Sequence, residues 1–210
     1  MTRILLIRHG RTEWNRQEIF RGRADIPLSD QGTRQAEALA GRLSDERIAG
    51  VYSSPLIRAY ATAEQVAKAH GLQPQTVDDL TDIDYGAWEG QQHEQVAEQY
   101  ADLYARWRSE PHLVRPPGGE TLGQVRERAY PALLEIVARH AEAAVALVSH
   151  RVVSKLILCA ALDLGDEAFW RIRRDTCCLN VLEWSGGAVT VCALNDTCHL
   201  GGLAKDAMDF

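Results

Sequence analysis

Apolar positions along this chain alternate between two rhythms. Residues 3–8, "RILLIR", are an apolar run closed by arginine, which predicts a strand buried on both faces, as in the middle of a parallel sheet. "LSDQGTRQAEALAGRLSD" (28–45) changes to helical spacing: Ala36, Leu39, Ala40 and Leu43 recur on one face, and Ser29 or Asp30 can cap it. "IAGVYSS" (48–54) predicts a second short strand. "PLIRAYATAEQVAKAHG" (55–71) predicts a helix with Pro55 at its first position and Gly71 at its close. Strand then helix, twice over, implies right-handed crossovers and a mainly parallel sheet. The pattern loosens after Thr76. "QQHEQVAEQYADLYARWRSE" (91–110) reads as one amphipathic helix, stopped by the loop "PHLVRPPGGE", so 80–120 is expected to be an insertion over one end of the sheet. Thr121–Ala141 predicts a helix with a kink or break at Pro131, "AAVALVSH" (143–150) a third buried strand, and "VVSKLILCAAL" the helix after it. "LNVLEWSGGAVTVCAL" (179–194) predicts a hairpin turning at Ser185-Gly186-Gly187 that finishes the sheet.

Composition narrows the classes of function. The chain has 210 residues, 46% of them hydrophobic, enough for one domain (1–210) with a cap. Net charge is −6, and acids sit among or near the arginine clusters at 21–23, 106–108 and 171–174, so no nucleic-acid partner is expected. No apolar run approaches the roughly 20 residues that span a bilayer, so no membrane partner is expected. The apolar run in "MTRILLIRHG" is too short for a signal peptide. The cysteines, Cys159, Cys177, Cys178, Cys192 and Cys198, form no C-x-x-C pair; they fit reduced thiols in a cytoplasm rather than a zinc knuckle.

The candidate chemistry lies where the buried strands end. The first gives Arg8 and His9, the second Ser53 and Ser54 with Arg58 one turn into the next helix, the third Ser149 and His150. In open α/β sheets ligands bind beyond the carboxyl ends of strands. Two arginine forks there would pair with the oxygens of a phosphoryl group. Neutral imidazole is a competent nucleophile near pH 7.

Six segments in this order, "LIRHGRTEWN", "PLSDQGTRQAEALA", "SSPLIRAYATAE", "DIDYGAWEG", "PPGGET" and "LVSHRVV", resemble the histidine phosphatase superfamily in its phosphoglycerate-mutase-like branch. The likeness runs from about residue 3 to residue 160, and "LNDTCHL" near the end adds to it. It implies an α/β fold, a three-layer αβα sandwich with a mainly parallel central sheet and a small helical insertion over the active site. It also implies roles. His9 would be the nucleophile that becomes phosphohistidine. Arg8, Arg58 and His150 would bind the phosphoryl group, with polar contacts from Asn15 and Thr12. No metal and no other cofactor would be needed. Relatives are often dimers, which leaves a homodimer as the candidate assembly.

The departures from the family pattern bear on substrate and acid. The proton donor is usually a glutamate; here the matching position is Asp82, with Asp84 and Glu89 as fallback acids. Asp82 would need a raised pKa to donate near pH 7. Arg21 stands before Gly22 where relatives often carry glutamine, and Arg151 follows His150 where S-H-G is usual. Arg21 facing the pocket would favour a substrate with a second anionic group, and Arg151 reaches the substrate or points into solvent. His93 reads as a surface residue of the insertion helix, with a place in the pocket as the alternative. Trp14 and Trp88 read as buried aromatics or pocket walls. Cys198 and His199 read as sheet-edge packing, unless the tail folds back over the site.

The resemblance thus implies a phosphomonoester hydrolase acting on a small phosphorylated metabolite, with "SEPHLVRPPGGETL", "SHR", "FW" and "LNDTCHL" most similar to metal-independent phosphoserine phosphatases and, beside them, α-ribazole phosphatases. The alternatives are a cofactor-dependent phosphoglycerate mutase, whose known examples are longer after the glycine-tryptophan segment, and a phosphate- or peptide-binding protein that has lost the chemistry.

Overall fold

The computed structural model describes residues 1–206, so the tail beyond them, and any return of it over the site, lies outside the described residues. A six-stranded sheet runs through the centre: β1 (Thr2–Arg8), β2 (Ile48–Ser53), β3 (Gln75–Thr76), β4 (Ala144–Ser149), β5 (Leu179–Ser185) and β6 (Ala188–Asp196), in the spatial order β3-β2-β4-β1-β5-β6. The pairs β3·β2, β2·β4 and β4·β1 are parallel; β5 and β6 close one side antiparallel. The helices are α1 (Glu13–Arg16), α2 (Asp30–Leu43), α3 (Ile57–Ala69), α4 (His93–Gln99), α5 (Ala101–Ser109), α6 (Leu122–Ala138) and α7 (Arg151–Ala161).

Period-two alternation in β1 distributes its side chains between two cores. Leu5 and Ile7 face a core with Leu39, Leu43, Ala63 and Val66 of α2 and α3. Ile4 and Leu6 face the other, with Leu133 and Ile136 of α6 and Leu156 and Ile157 of α7. Helices therefore cover both faces of the sheet, the three-layer sandwich that the apolar strands require.

The elements start where local chemistry satisfies their first N–H groups. Ser29 Oγ accepts from Gly32 N at 3.1 Å at the head of α2. Thr121 Oγ1 accepts from Gln124 N while Gln124 Oε1 accepts from Thr121 N, a capping box on α6. Pro131 lies on the exposed face of α6, which continues through it to Ala138.

Two further expectations need correction. The helix after β2 begins at Ile57, not Pro55, because Asp25 Oδ1 takes the Ile57 N–H at 2.7 Å and Ser54 Oγ takes that of Leu56 at 3.3 Å. The single helix expected over 91–110 is two, broken at Tyr100 (φ −128°, ψ 46°). The break lets Val96, Tyr100 and Trp107 all pack into the aromatic core around Trp88. Two-residue β3 was invisible in the pattern, since Gln75 and Thr76 are both polar and exposed. The β5–β6 turn falls at Gly186-Gly187, where both φ angles are positive (60° and 88°), as a tight hairpin turn demands.

Candidate active site

The parallel register delivers the site. Arg8 pairs with Ser149 across β1 and β4, and His9 N donates to Ser149 O at 3.0 Å. His9 and His150 therefore leave neighbouring strands together, with ring centroids 5.2 Å apart. Ser54, past the end of β2, hydrogen-bonds His150 Nε2 at 2.7 Å.

His9 is buried and held in one tautomer. Its Nδ1 lies 2.6 Å from the carbonyl of Gly10, which can only accept, so Nδ1 carries the proton and Nε2 keeps its lone pair. Burial, then the charges of Arg58, Arg8 and Arg21, hold its pKa well below 6.5, so the ring is neutral at pH 7. His150 is lowered too, by burial first and then Arg58 and His9. The loop after His9 is fixed on both sides. Gly10 N donates to Thr62 Oγ1 of α3, and Arg11 N to Gln35 Oε1 of α2. A side chain at Gly10 would collide with the backbone of Gly32, so this approach needs glycine.

The arginines are aimed by backbone carbonyls. Arg58 donates to Ala24 O and Gly22 O, each at 2.7 Å, and approaches Asp82 Oδ2 at 3.5 Å. Burial lowers its pKa to about 10, which leaves it charged at pH 7. Gly22 serves through its carbonyl, and at φ +50° a Cβ would strike Glu89. Arg8 donates to Arg174 O at 2.5 Å.

Asp82 is only 5% exposed. Its Oδ1 accepts from Ile83 N, and its Oδ2 lies 3.7 Å from His150 Nδ1. Burial raises its pKa against the opposing pull of Arg58 and Arg21. That is the environment a carboxylic acid needs in order to stay protonated as a donor. The fallback acids are otherwise engaged: Glu89 Oε1 accepts from Arg23 N and Tyr85 N, and Asp84 Oδ1 accepts from Gly86 N.

Arg21 and Arg151 line one small cleft together with Ile19, Phe20, Asp82, Tyr85, His93 and Val152. His93 stacks on Phe20 with ring centroids 4.2 Å apart, so the insertion helix does reach the cleft. Asn15 Oδ1 accepts from both the N–H and the hydroxyl of Thr12 at 2.9 Å, so much of that pair's bonding closes its own turn. Trp88 is fully buried against Phe20 and Trp107 rather than lining the cleft, and Trp14 is half-buried outside the lining. His199 Nε2 donates to Cys177 O, while Cys198 is exposed.

Two supporting networks escaped the sequence reading. Arg128 of α6 donates to the carbonyls of Asp79, Thr81 and Asp82 and pairs with Glu120 at 3.1 Å, holding the loop that carries Asp82. Asn195, from "LNDTCHL", accepts from Asp175 N and donates to Asp175 Oδ2, and its own N–H reaches Asn180 Oδ1. This fixes the segment whose Arg174 carbonyl receives Arg8 and whose Cys177 N–H binds His9 O. Among the described residues no group of three or more His, Cys, Asp or Glu side chains is placed to hold a metal ion, and no helix is long and apolar enough to cross a membrane.

The model of the histidine phosphatase superfamily (branch 1) matches residues 4–197. This chain belongs to that family. Among its relatives in the family is phosphoserine phosphatase 1 of Hydrogenobacter thermophilus, 38% identical over 99% of this chain and 98% of that protein. The structure of Bacillus stearothermophilus YhfR superposes with a TM-score of 0.91 at 31% identity, covering 95% of this chain and all of the other. The phosphoserine phosphatase of Entamoeba histolytica, solved in complex with phosphoserine, superposes at 0.85 with 25% identity, over 95% of this chain and all of that one. Mixed α/β architecture around a central sheet is thus a property this chain shares with the family.

Proposed function

We propose that this chain hydrolyses a small phosphomonoester through a phosphohistidine on His9, and that its substrate carries a second anionic group, as phosphoserine does. The observation that carries the reading is the fixed tautomer of His9. Nε2 is left as an unprotonated nucleophile, in a field of three arginines that also lowers its pKa. Nε2 attacks phosphorus, and the P–O bond to the alcohol breaks as Asp82 gives that oxygen its proton. Water then attacks phosphorus, and the Asp82 carboxylate takes the water proton as the P–N bond breaks. Arg8 and Arg58 would spread over the transferring oxygens, where charge develops. Arg21 and Arg151, on the same cleft as Asp82, would hold the second anion. The enzyme needs no metal in this scheme because arginine forks supply the positive charge. Its five free cysteines suit a reducing cytoplasm.

The test is hydrolysis of a panel of phosphomonoesters in EDTA, scored by kcat/KM, with phosphoserine, 3-phosphoglycerate, α-ribazole phosphate and p-nitrophenyl phosphate. Phosphoserine well above uncharged esters is the expected result. Equal rates would remove the second-anion claim. Isomerisation of 3-phosphoglycerate without phosphate release would move the assignment to a mutase, and no turnover at all would move it to a binding protein.

A further inference from the structure

Behind the site lies a second concentration of buried positive charge that the proposed chemistry does not use. Arg174 is 2% exposed, and none of its three guanidinium nitrogens has a hydrogen-bond partner. Lys155, on α7, is 4% exposed. Its ammonium sits 4.4 Å from the ring centre of Phe169 and 4.5 Å from that of Trp170. Arg151 lies over the same Trp170 ring at 5.9 Å. The groups that act most strongly on the charge of Lys155 are Arg151, Arg8 and Arg174, all cations, with the thiol of Cys159 opposing them weakly. Ser154, beside Lys155, and Thr176, two residues past Arg174, each bury a hydroxyl without a partner.

A buried guanidinium cannot escape its charge by losing a proton, and an unpaired buried charge is strongly unfavourable. The ordinary solution is a carboxylate. Asp175, next in sequence to Arg174, is already paired with Arg173 at 3.0 Å and bonded to Asn195. We infer that Arg174 and Lys155 form a binding site for a compact monovalent inorganic anion, chloride-like in size and charge, set behind the phosphoryl site. The closed surroundings exclude an organic substrate. The unspent guanidinium N–H donors of Arg174, with the partnerless hydroxyls of Thr176 and Ser154 close by in sequence to Arg174 and Lys155, suit a small spherical acceptor. The bound anion would also neutralise charge next to Arg8, whose guanidinium rests on the Arg174 carbonyl, so occupancy would steady one of the phosphoryl ligands. Lys155 supports the same picture. Burial and the three arginines lower its pKa to about 6, so an arriving anion would restore its proton near pH 7.

The test uses the full chain in chloride-free buffer, with orthovanadate filling the phosphoryl site. Chloride is then titrated against gluconate at constant ionic strength. The expected result is a saturable rise in Tm with an excess ³⁵Cl line width that bromide displaces. Both effects should weaken at least tenfold in Arg174→Met and in Lys155→Met. Should Arg174→Met fail to fold, Lys155→Met, which removes a charge at similar volume, carries the comparison, and the wild-type line width stands without either. A flat Tm with no excess line width in wild type would overturn the site. So would an undiminished response in a folded variant, or a response that vanadate abolishes, which would place chloride on the phosphoryl ligands instead.

Discussion

Replacing Asp82 by asparagine tests the acid directly. Asn is nearly isosteric with the protonated carboxyl that burial favours here, so the packing against Ile83 N and the approach to Arg58 and His150 should survive. What disappears is the proton. A positioned general acid contributes on the order of 10²–10⁴-fold. The loss should depend on the leaving group: an alkyl alcohol cannot depart as an alkoxide, whereas p-nitrophenolate departs unaided. Asp82→Asn should therefore lower kcat on phosphoserine by about 10²–10⁴-fold, or roughly 3–5 kcal/mol of barrier. On p-nitrophenyl phosphate the first step should slow by less than about tenfold on the same argument, with KM little changed on both. Single-turnover kinetics separate this step from hydrolysis of the intermediate. Equal losses on the two substrates would refute the general-acid role. A large rise in KM alone would show that the carboxyl binds rather than donates.

Other consequences follow from the same structure. Arg21→Met and Arg151→Met should each raise KM for phosphoserine by roughly 10–100-fold, the range for a lost charge-assisted hydrogen bond, while p-nitrophenyl phosphate is nearly unaffected; parallel losses on both esters would take these arginines out of substrate selection. Asn195→Ala deletes a partly buried side chain that fixes Asp175, and it should cost about 1–3 kcal/mol in urea unfolding, with kcat falling through Arg8; an unchanged unfolding midpoint would show that the network is idle. Lys155 has a folded pKa near 6, below its ordinary value of 10.5, so between those limits the unfolded chain holds one more proton and stability rises with pH. In chloride-free buffer, wild type should gain roughly 2–3 kcal/mol over Lys155→Met between pH 6 and pH 8, and parallel profiles would contradict that titration.

Most of the sheet and its strand-end residues were legible because they follow short-range rules. A strand buried on both faces reads as an apolar run, and a parallel register puts the ends of β1, β2 and β4 on one side. Arg8, His9, Arg58 and His150 come together for that reason, whereas Asp82, on the loop after β3, was legible only through the family resemblance. The break at Tyr100 was hidden because both half-helices keep one apolar face; only the aromatic core they wrap around shows why they part. Arg128 and Glu120 hold the acid loop from a surface that looks like any solvated helix face. Arg174 and Asn195 were unreadable for a related cause. Burial of a polar side chain depends on what the other elements cover, and sequence spacing carries no trace of it.

The most direct measurement is rapid-quench labelling with ³²P-phosphoserine, followed by mapping of the acid-labile phosphate. The account predicts a burst of label approaching one phosphate per chain, carried on His9 and absent from a folded His9→Ala variant. Label on another residue, or turnover by His9→Ala at a rate near wild type, would contradict it.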